Sequence, residues 1–175
     1  MNSPPIAFSS RVPPTFLQKV ITISQSFGHN PSNLMACIAF ETAHTFSPSI
    51  RNAAGSGAVG LIQFMPKTAI GLNTTVDELE AMDSLRQLDF VAQYFSPYSK
   101  LLRASPILSS LYMAILMPKY IMAPESIILF NKGTTSYRQN SGLDSNTDGK
   151  ITKAEAAAKV QKTLEFGLQK QNCLS

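Results

Sequence analysis

Seven uninterrupted apolar residues, Leu34, Met35, Ala36, Cys37, Ile38, Ala39 and Phe40, constrain this chain more than any other segment. Asn30-Pro31 just before them is a strong helix start, an N-cap residue followed by a proline at the first helical position, where its missing N–H costs nothing. A helix that is apolar all round has no face to offer to water, so it must be surrounded by other elements. At 175 residues the chain is long enough to supply them within one domain and to bury a real core. Glu41 ends the run. If the helix carries this carboxyl group into apolar surroundings, desolvation raises its pKa, as a general acid working near neutral pH requires. If the helix end is amphipathic, Glu41 reaches water; the helix pattern alone leaves both readings open.

The remaining pattern is helical with short interruptions. Pro14 opens a first helix to about Gly28, with Phe16, Val20, Ile23 and Phe27 on one side. Residues 46–64 are Gly- and Ser-rich, too broken for a helix and able to hold a short hairpin. A helix restarts at Met65-Pro66, and Thr75 with Glu78 three residues on has capping-box character. Helical patterns cover about 83–96 and 106–117, while the Ile-rich stretch 126–130 reads equally as strand or helix. No internal repeat or linker is visible, which predicts a mostly α, single domain over 1–175 with a short β hairpin or irregular segment.

Residues 144–155 carry the side chains of a calcium loop at their places. Asp144, Asn146 and Asp148 hold positions one, three and five, Gly149 allows the sharp turn, Lys150 offers its carbonyl at seven, and Glu155 supplies the carboxylate at twelve. Ile151 at position eight would anchor the loop to the core. A clear helix follows from Thr152, with Ala156, Val160, Leu164 and Leu168 as its stripe. Residues 133–142 before the loop are rich in turn formers, so a single loop with one flanking helix is expected. The methionines are scattered through the middle of the chain and form no groove-lining set, which favours a structural calcium clip over a signalling switch.

Net charge is +4 with a pI near 9.1, favouring an anionic partner such as cell wall, nucleic acid or lipid headgroups. No run of five Lys or Arg concentrates that charge, which argues against nucleic acid. Cys37 lies inside the apolar run and reads as a buried free thiol, and Cys173 lies in the tail; neither zinc spacing nor a nucleophile signature is present. The N-terminus lacks a charged start followed by an apolar stretch, and the apolar segment 106–117 is too short to span a bilayer. A soluble product made in the cytoplasm without a signal peptide is expected, with no stable membrane insertion.

Phe40-Glu41-Thr42, then Phe46-Ser47-Pro48, Asn52, and Gly57-Ala58-Val59-Gly60-Leu61-Ile62-Gln63-Phe64-Met65-Pro66-Lys67-Thr68-Ala69, resemble the core of soluble lytic transglycosylases. That family has the goose-type lysozyme fold and includes many phage-encoded wall enzymes. The match covers about residues 38–70; the tail from Tyr137 into the calcium loop is more loosely similar to phage lysis or tail-associated muralytic proteins. The resemblance implies that Glu41 protonates the glycosidic oxygen between N-acetylmuramic acid and N-acetylglucosamine. The same residue then acts as base on the muramyl C6 hydroxyl. It further implies that Gln63 holds a sugar acetamido or hydroxyl group, that Gly57 and Gly60 let the backbone approach the glycan, and that Phe64 and Met65 help wall the cleft.

Two departures stand out. Ala54 replaces a serine that many members carry, with Ser56 nearby as a substitute, and the later Ala-Tyr-Asn-Ala-Gly block is absent. Tyr112 and Tyr137 are the candidates for the substrate-side tyrosine. His44, three residues after Glu41, reads as a surface or supporting residue. A hydrolytic lysozyme would need a second carboxylate, for which Asp83 and Asp89 are the candidates. The third alternative is a non-catalytic, calcium-stabilised wall-binding or tail structural protein. On the enzymatic reading the expected partner is the peptidoglycan glycan strand, the protein is a monomer without organic cofactor, and it acts in the periplasm after holin or virion delivery.

Overall fold

The computed structural model describes residues 4–53 and 55–174, so the Ala54 position lies outside the described residues. The helices are α1 (Pro14–Ser26), α2 (Pro31–Glu41), α3 (Pro66–Gly71), α4 (Val76–Ala81), α5 (Ser84–Phe95), α6 (Ser99–Ala104), α7 (Leu108–Leu116), α8 (Thr135–Asn140) and α9 (Lys153–Gly167). Two short strands, β1 (Ile128–Asn131) and β2 (Lys150–Thr152), pair antiparallel. The protein is thus mostly helical with one small sheet. No described helix is long and apolar enough to cross a membrane.

The local signals in the sequence act as expected at most helix starts. Asn30 Oδ1 accepts the Ser32 N–H at 2.9 Å, capping α2 ahead of Pro31. Thr75 and Glu78 form the capping box of α4, and Thr152 with Glu155 form a second one at α9. Asp83 caps α5 by accepting the Arg86 N–H at 2.8 Å. From Leu34 to Ala39 every residue of α2 is buried, as a helix without a polar face requires. α9 packs most extensively against α2 and α7, and α1 closes another side.

Four elements go beyond what the sequence pattern indicated. α8 forms within the turn-rich stretch because Thr134 caps it, its hydroxyl accepting the Tyr137 N–H at 3.1 Å, and a single 310 turn (Ser141–Leu143) continues it to Asp144. The calcium-type loop therefore has a helix on each side, not one. Within the stretch 126–130 a strand forms from Ile128, with Phe130 paired to Ile151 and a bulge between Ile128 and Phe130, so loop position eight is tied down by the sheet. Leu168 is the C-cap of α9 and is exposed, whereas Ala156 and Val160 are buried and Leu164 packs at the core's edge. The short α6 had no recognised signal.

Among the described residues of 46–64 no regular element forms beyond isolated bridges at Arg51–Val59 and Val59–Phe64. One buried side chain organises this segment. Gln87 of α5 accepts the Leu61 N–H at 2.7 Å and donates to the carbonyls of Pro48 and Leu79, each at 2.8 Å. Gly60 adopts φ 82°, and a Cβ there would sit 2.2 Å from Gln87 Oε1. The glycine is therefore required by the close approach of the Gln87 amide. Arg51 adds an exposed clamp to α4, bonding Asp77 at 2.8 Å and Glu80 at 3.1 Å.

At the other end, the Lys153 side chain is only 2% exposed and donates to the carbonyls of Ile121 at 3.0 Å and Ala123 at 2.8 Å. It fixes the turn before β1 to the start of α9. Gln87→Leu keeps the volume of the irregular segment's anchor but strips the Leu61 N–H and the Pro48 carbonyl of their partners. A stability loss of roughly 2–4 kcal/mol is expected in urea unfolding; a loss below about 1 kcal/mol would show that the segment is held by other contacts.

Candidate active site

Glu41 is the last residue of α2, and the chain leaves it through a tight reversal. Thr42 is buried; its hydroxyl donates to the Ile38 carbonyl at 2.7 Å and accepts the Phe46 N–H at 3.0 Å. Ala43, His44 and Phe46 all take positive φ, at 47°, 65° and 54°. Three non-glycine residues in that region cost on the order of 1 kcal/mol each, and backbone of this kind concentrates at functional sites. The reversal carries His44 away from Glu41. Its ring sits between Phe8 and Phe166, with centroids 5.5 and 5.4 Å away, and the residue is exposed.

Glu41 opens into a cleft of about 610 Å3. Phe40 and Glu41 form its base; Asn52, Ser56, Ala58, Ile62, Gln63 and Met65 come from the irregular segment and its end. Tyr112, Ile115 and Leu116 of α7 face them. Gln139 and Asn140 of α8, with Gly142 and Leu143 beyond it and Lys159 of α9, complete the rim. The structure thus brings together Glu41, Ser56, Gln63, Met65 and Tyr112.

Burial of the carboxyl group among these apolar neighbours raises the Glu41 pKa from the usual 4.5 to about 8. The residue keeps partial exposure where the cleft opens, but the dense packing around it governs its charge. Desolvation acts alone, with no cation or hydrogen-bond donor opposing it among the described residues. Its field reaches the neighbours. Tyr112 and Cys37 are held well above their ordinary values, by burial first and by the Glu41 charge second.

Individual side chains show how the cleft is built. Gln63 takes φ 52° and spends its Nε2 on the carbonyls of Gly60 at 3.1 Å and Ile50 at 3.2 Å. Its Oε1 meets no donor among the described residues and remains an acceptor for a ligand. Ser56 Oγ accepts the Ala58 N–H at 3.3 Å. Tyr112 stands edge-on to Phe40, centroids 5.6 Å apart, and is almost wholly buried. Met65 is exposed at the N-cap of α3.

Other expected site residues lie elsewhere. Gly60 is buried against Gln87 and does not line the cleft; the contact it permits is with a side chain of α5. Gly57 abuts Pro66, and Phe64 is core. Tyr137 belongs to the calcium-type loop, its hydroxyl donating to Asp144 Oδ2 at 2.6 Å. Asp83 is a helix cap, and Asp89 pairs with Lys19 at 2.7 Å; neither lines the cleft. Among the described lining residues Glu41 is the sole acid and Lys159 the sole base. Gln139, Asn140, Gly142, Leu143 and Lys159 were not anticipated, because the stretch before the loop carries no helical signal.

The loop itself is folded by its own ligand-type side chains. Gly149, at φ 84°, donates its N–H to Asp144 Oδ2 at 3.0 Å. Asn146 Oδ1 accepts the Asp148 N–H at 2.9 Å, and Asp148 Oδ1 accepts the Lys150 N–H at 2.8 Å. Glu155 Oε2 accepts both the N–H and hydroxyl of Thr152, at 2.9 and 2.8 Å, while Oε1 accepts from Ser145 Oγ at 3.3 Å. Among the described residues no three acidic, His or Cys side chains close around one point. One oxygen nonetheless fits a cation: Asp144 Oδ1 is buried and has no partner among the described residues. An orphaned carboxylate oxygen is the group a hard cation satisfies best.

No protein-family model matches the chain, and no curated protein matches it in sequence.

Between pH 4.5 and 8 folded Glu41 holds a proton that the unfolded chain has released, so stability falls as pH rises through that window and levels off above it. Glu41→Gln removes this slope. The variant should match the wild type below pH 4.5 and exceed it above pH 8, by on the order of a few kcal/mol. Urea midpoints measured across pH 4 to 9.5 check this; parallel curves would mean that the carboxyl is solvated.

Proposed function

We propose that the protein is a lysozyme-like muralytic enzyme of the goose-type fold, a peptidoglycan lytic transglycosylase with Glu41 as acid and base. The observation that carries this reading is a single desolvated carboxyl group, with a pKa of about 8, at the base of a cleft with no second acid among its described lining residues. The resemblance of residues 38–70 to soluble lytic transglycosylases supports it independently.

At neutral pH Glu41 is largely protonated. It donates that proton to the glycosidic oxygen linking N-acetylmuramic acid to N-acetylglucosamine as the bond to muramyl C1 breaks. The carboxylate left behind then takes the proton of the muramyl C6 hydroxyl while its oxygen attacks C1. The product is a 1,6-anhydro sugar, no water is consumed, and Glu41 returns to its starting state. One carboxyl group suffices because the second nucleophile belongs to the substrate, unlike in two-carboxylate hydrolases. Gln63 Oε1 accepts from a sugar amide or hydroxyl, Met65 gives the sugar rings apolar surface, and the buried Tyr112 backs the cleft wall.

The basic balance of +4 suits an anionic wall. Asp144, Asn146, Asp148, the Lys150 carbonyl and Glu155 would hold a structural calcium ion, which neutralises the loop's carboxylates and braces β2 and α9. The setting we propose is a phage endolysin or virion-associated enzyme. It is made as a monomer in the host cytoplasm, binds neither nucleic acid nor organic cofactor, and reaches the periplasm through a holin or the virion.

The test is mass spectrometry of purified peptidoglycan after digestion. Muropeptides lighter by one water and ending in anhydromuramic acid are expected, and Glu41→Gln should cut their yield by 10²-fold or more. Activity should decline above about pH 8 as Glu41 loses its proton. Reducing-end products would mean a hydrolase, and the absence of any cleavage would leave a wall-binding or structural protein.

A further inference from the structure

The calcium-type loop and the cleft are neighbours in more than sequence. Gln139, Asn140, Gly142 and Leu143, all on the rim of the cleft, lie directly before Asp144, the first ligand position of the loop. Leu143 anchors the loop end of this rim in the core, but α8 itself buries no residue and meets the core only through the half-buried Tyr137 ring. The hydrogen bond from Tyr137 Oη to Asp144 Oδ2 at 2.6 Å ties α8 to the loop. On the far side of the loop, α9 packs against the helix that carries Glu41 and brings Lys159 to the same rim.

Asp144 is the hinge of the arrangement. It is 9% exposed, and its carboxylate faces into the loop, since Oδ2 also receives the Gly149 N–H at 3.0 Å from across the turn. Oδ1 beside it is buried without a partner among the described residues. The Tyr137 hydroxyl and the loop amides hold the Asp144 carboxyl below its ordinary pKa, so it stays charged, and the other ligand-type oxygens of the loop (carboxylate, side-chain amide and backbone carbonyl) are all hard. A divalent cation of calcium type is the partner this chemistry selects.

We propose that a calcium ion in the 144–155 loop sets the α8 rim of the Glu41 cleft through Asp144 and Tyr137, so that metal and glycan bind cooperatively. The proposal rests on the reading of the cleft as a glycan site. With the ion bound, Asp144 is fixed by both oxygens, Tyr137 holds α8 to it, and the rim is ordered before the sugar arrives. Without it the carboxylate is free to turn out of the loop, and the rim loses its anchor. Glycan then bears the cost of ordering the α8 residues of the rim, Gln139 and Asn140, which weakens its binding. By linkage, glycan must tighten calcium by the same factor that calcium tightens glycan.

The experiment uses the full chain carrying Glu41→Gln, so that the probe is bound without being cleaved. Soluble, uncross-linked peptidoglycan strands are titrated calorimetrically in millimolar-range calcium and in chelator, and calcium is titrated with and without the strands. We expect calcium to tighten glycan about tenfold, and glycan to tighten calcium about equally. Adding Asp148→Asn should weaken calcium and abolish the effect. Tyr137→Phe, which leaves every metal donor in place, should still bind calcium but bring the factor close to one. Equal glycan affinity with calcium and chelator, in a protein that titrates calcium, would overturn the coupling and leave the cleft reading standing. A chain that binds no calcium would overturn the proposal at the loop. Strands that bind under neither condition would overturn the glycan reading, and the coupling with it.

Discussion

Burying α2 on every side is the constraint from which the rest of this structure follows. Its residues from Leu34 to Ala39 have no polar face to leave in water, so α1, α7 and α9 must all close on it. Glu41 is then delivered to the interior by the same burial that stabilises the fold. The helix ends at that carboxyl, Thr42 turns the chain sharply back, and the cleft opens beside the end of the helix. Folding and chemistry draw on one element. The free energy that raises the Glu41 pKa comes from apolar packing that would form with or without an acid at its end.

Much of the fold was legible because its signals are local. Asn30-Pro31, Thr75 with Glu78 and Thr152 with Glu155 announce helix starts by residues within a few positions of one another, and each cap is present. α8 escaped notice for the opposite reason. Its composition disfavours a helix, and what forms it is one capping threonine plus the tie between Tyr137 and a loop that follows it. The stretch 126–130 was ambiguous until a partner strand existed, and that partner lies beyond the loop.

The site divides along the same line. Glu41, Ser56, Gln63, Met65 and Tyr112 line one cleft, residues that the family resemblance had singled out. Gly60 was misplaced because a positive-φ glycine signals a close approach without saying to what; here the visitor is Gln87, a residue of α5 distant in the chain. Tyr137 lies on α8 and bonds Asp144 of the loop instead of lining the cleft. The rim residues from Gln139 to Leu143 and Lys159 could not be read at all, since their role depends on how α8 and α9 flank the loop, which no local pattern encodes.

Cys37 lies one turn before Glu41, wholly buried and flanked by the packed faces of α2, while Cys173 sits partly open near the end of the chain. The pair makes a built-in clock. A thiol reagent reaches Cys173 in the native protein, whereas Cys37 reacts only when the helices around α2 part. The rate of the second modification therefore measures how often the interior that shelters the Glu41 carboxyl breathes, without introducing a new cysteine into the chain.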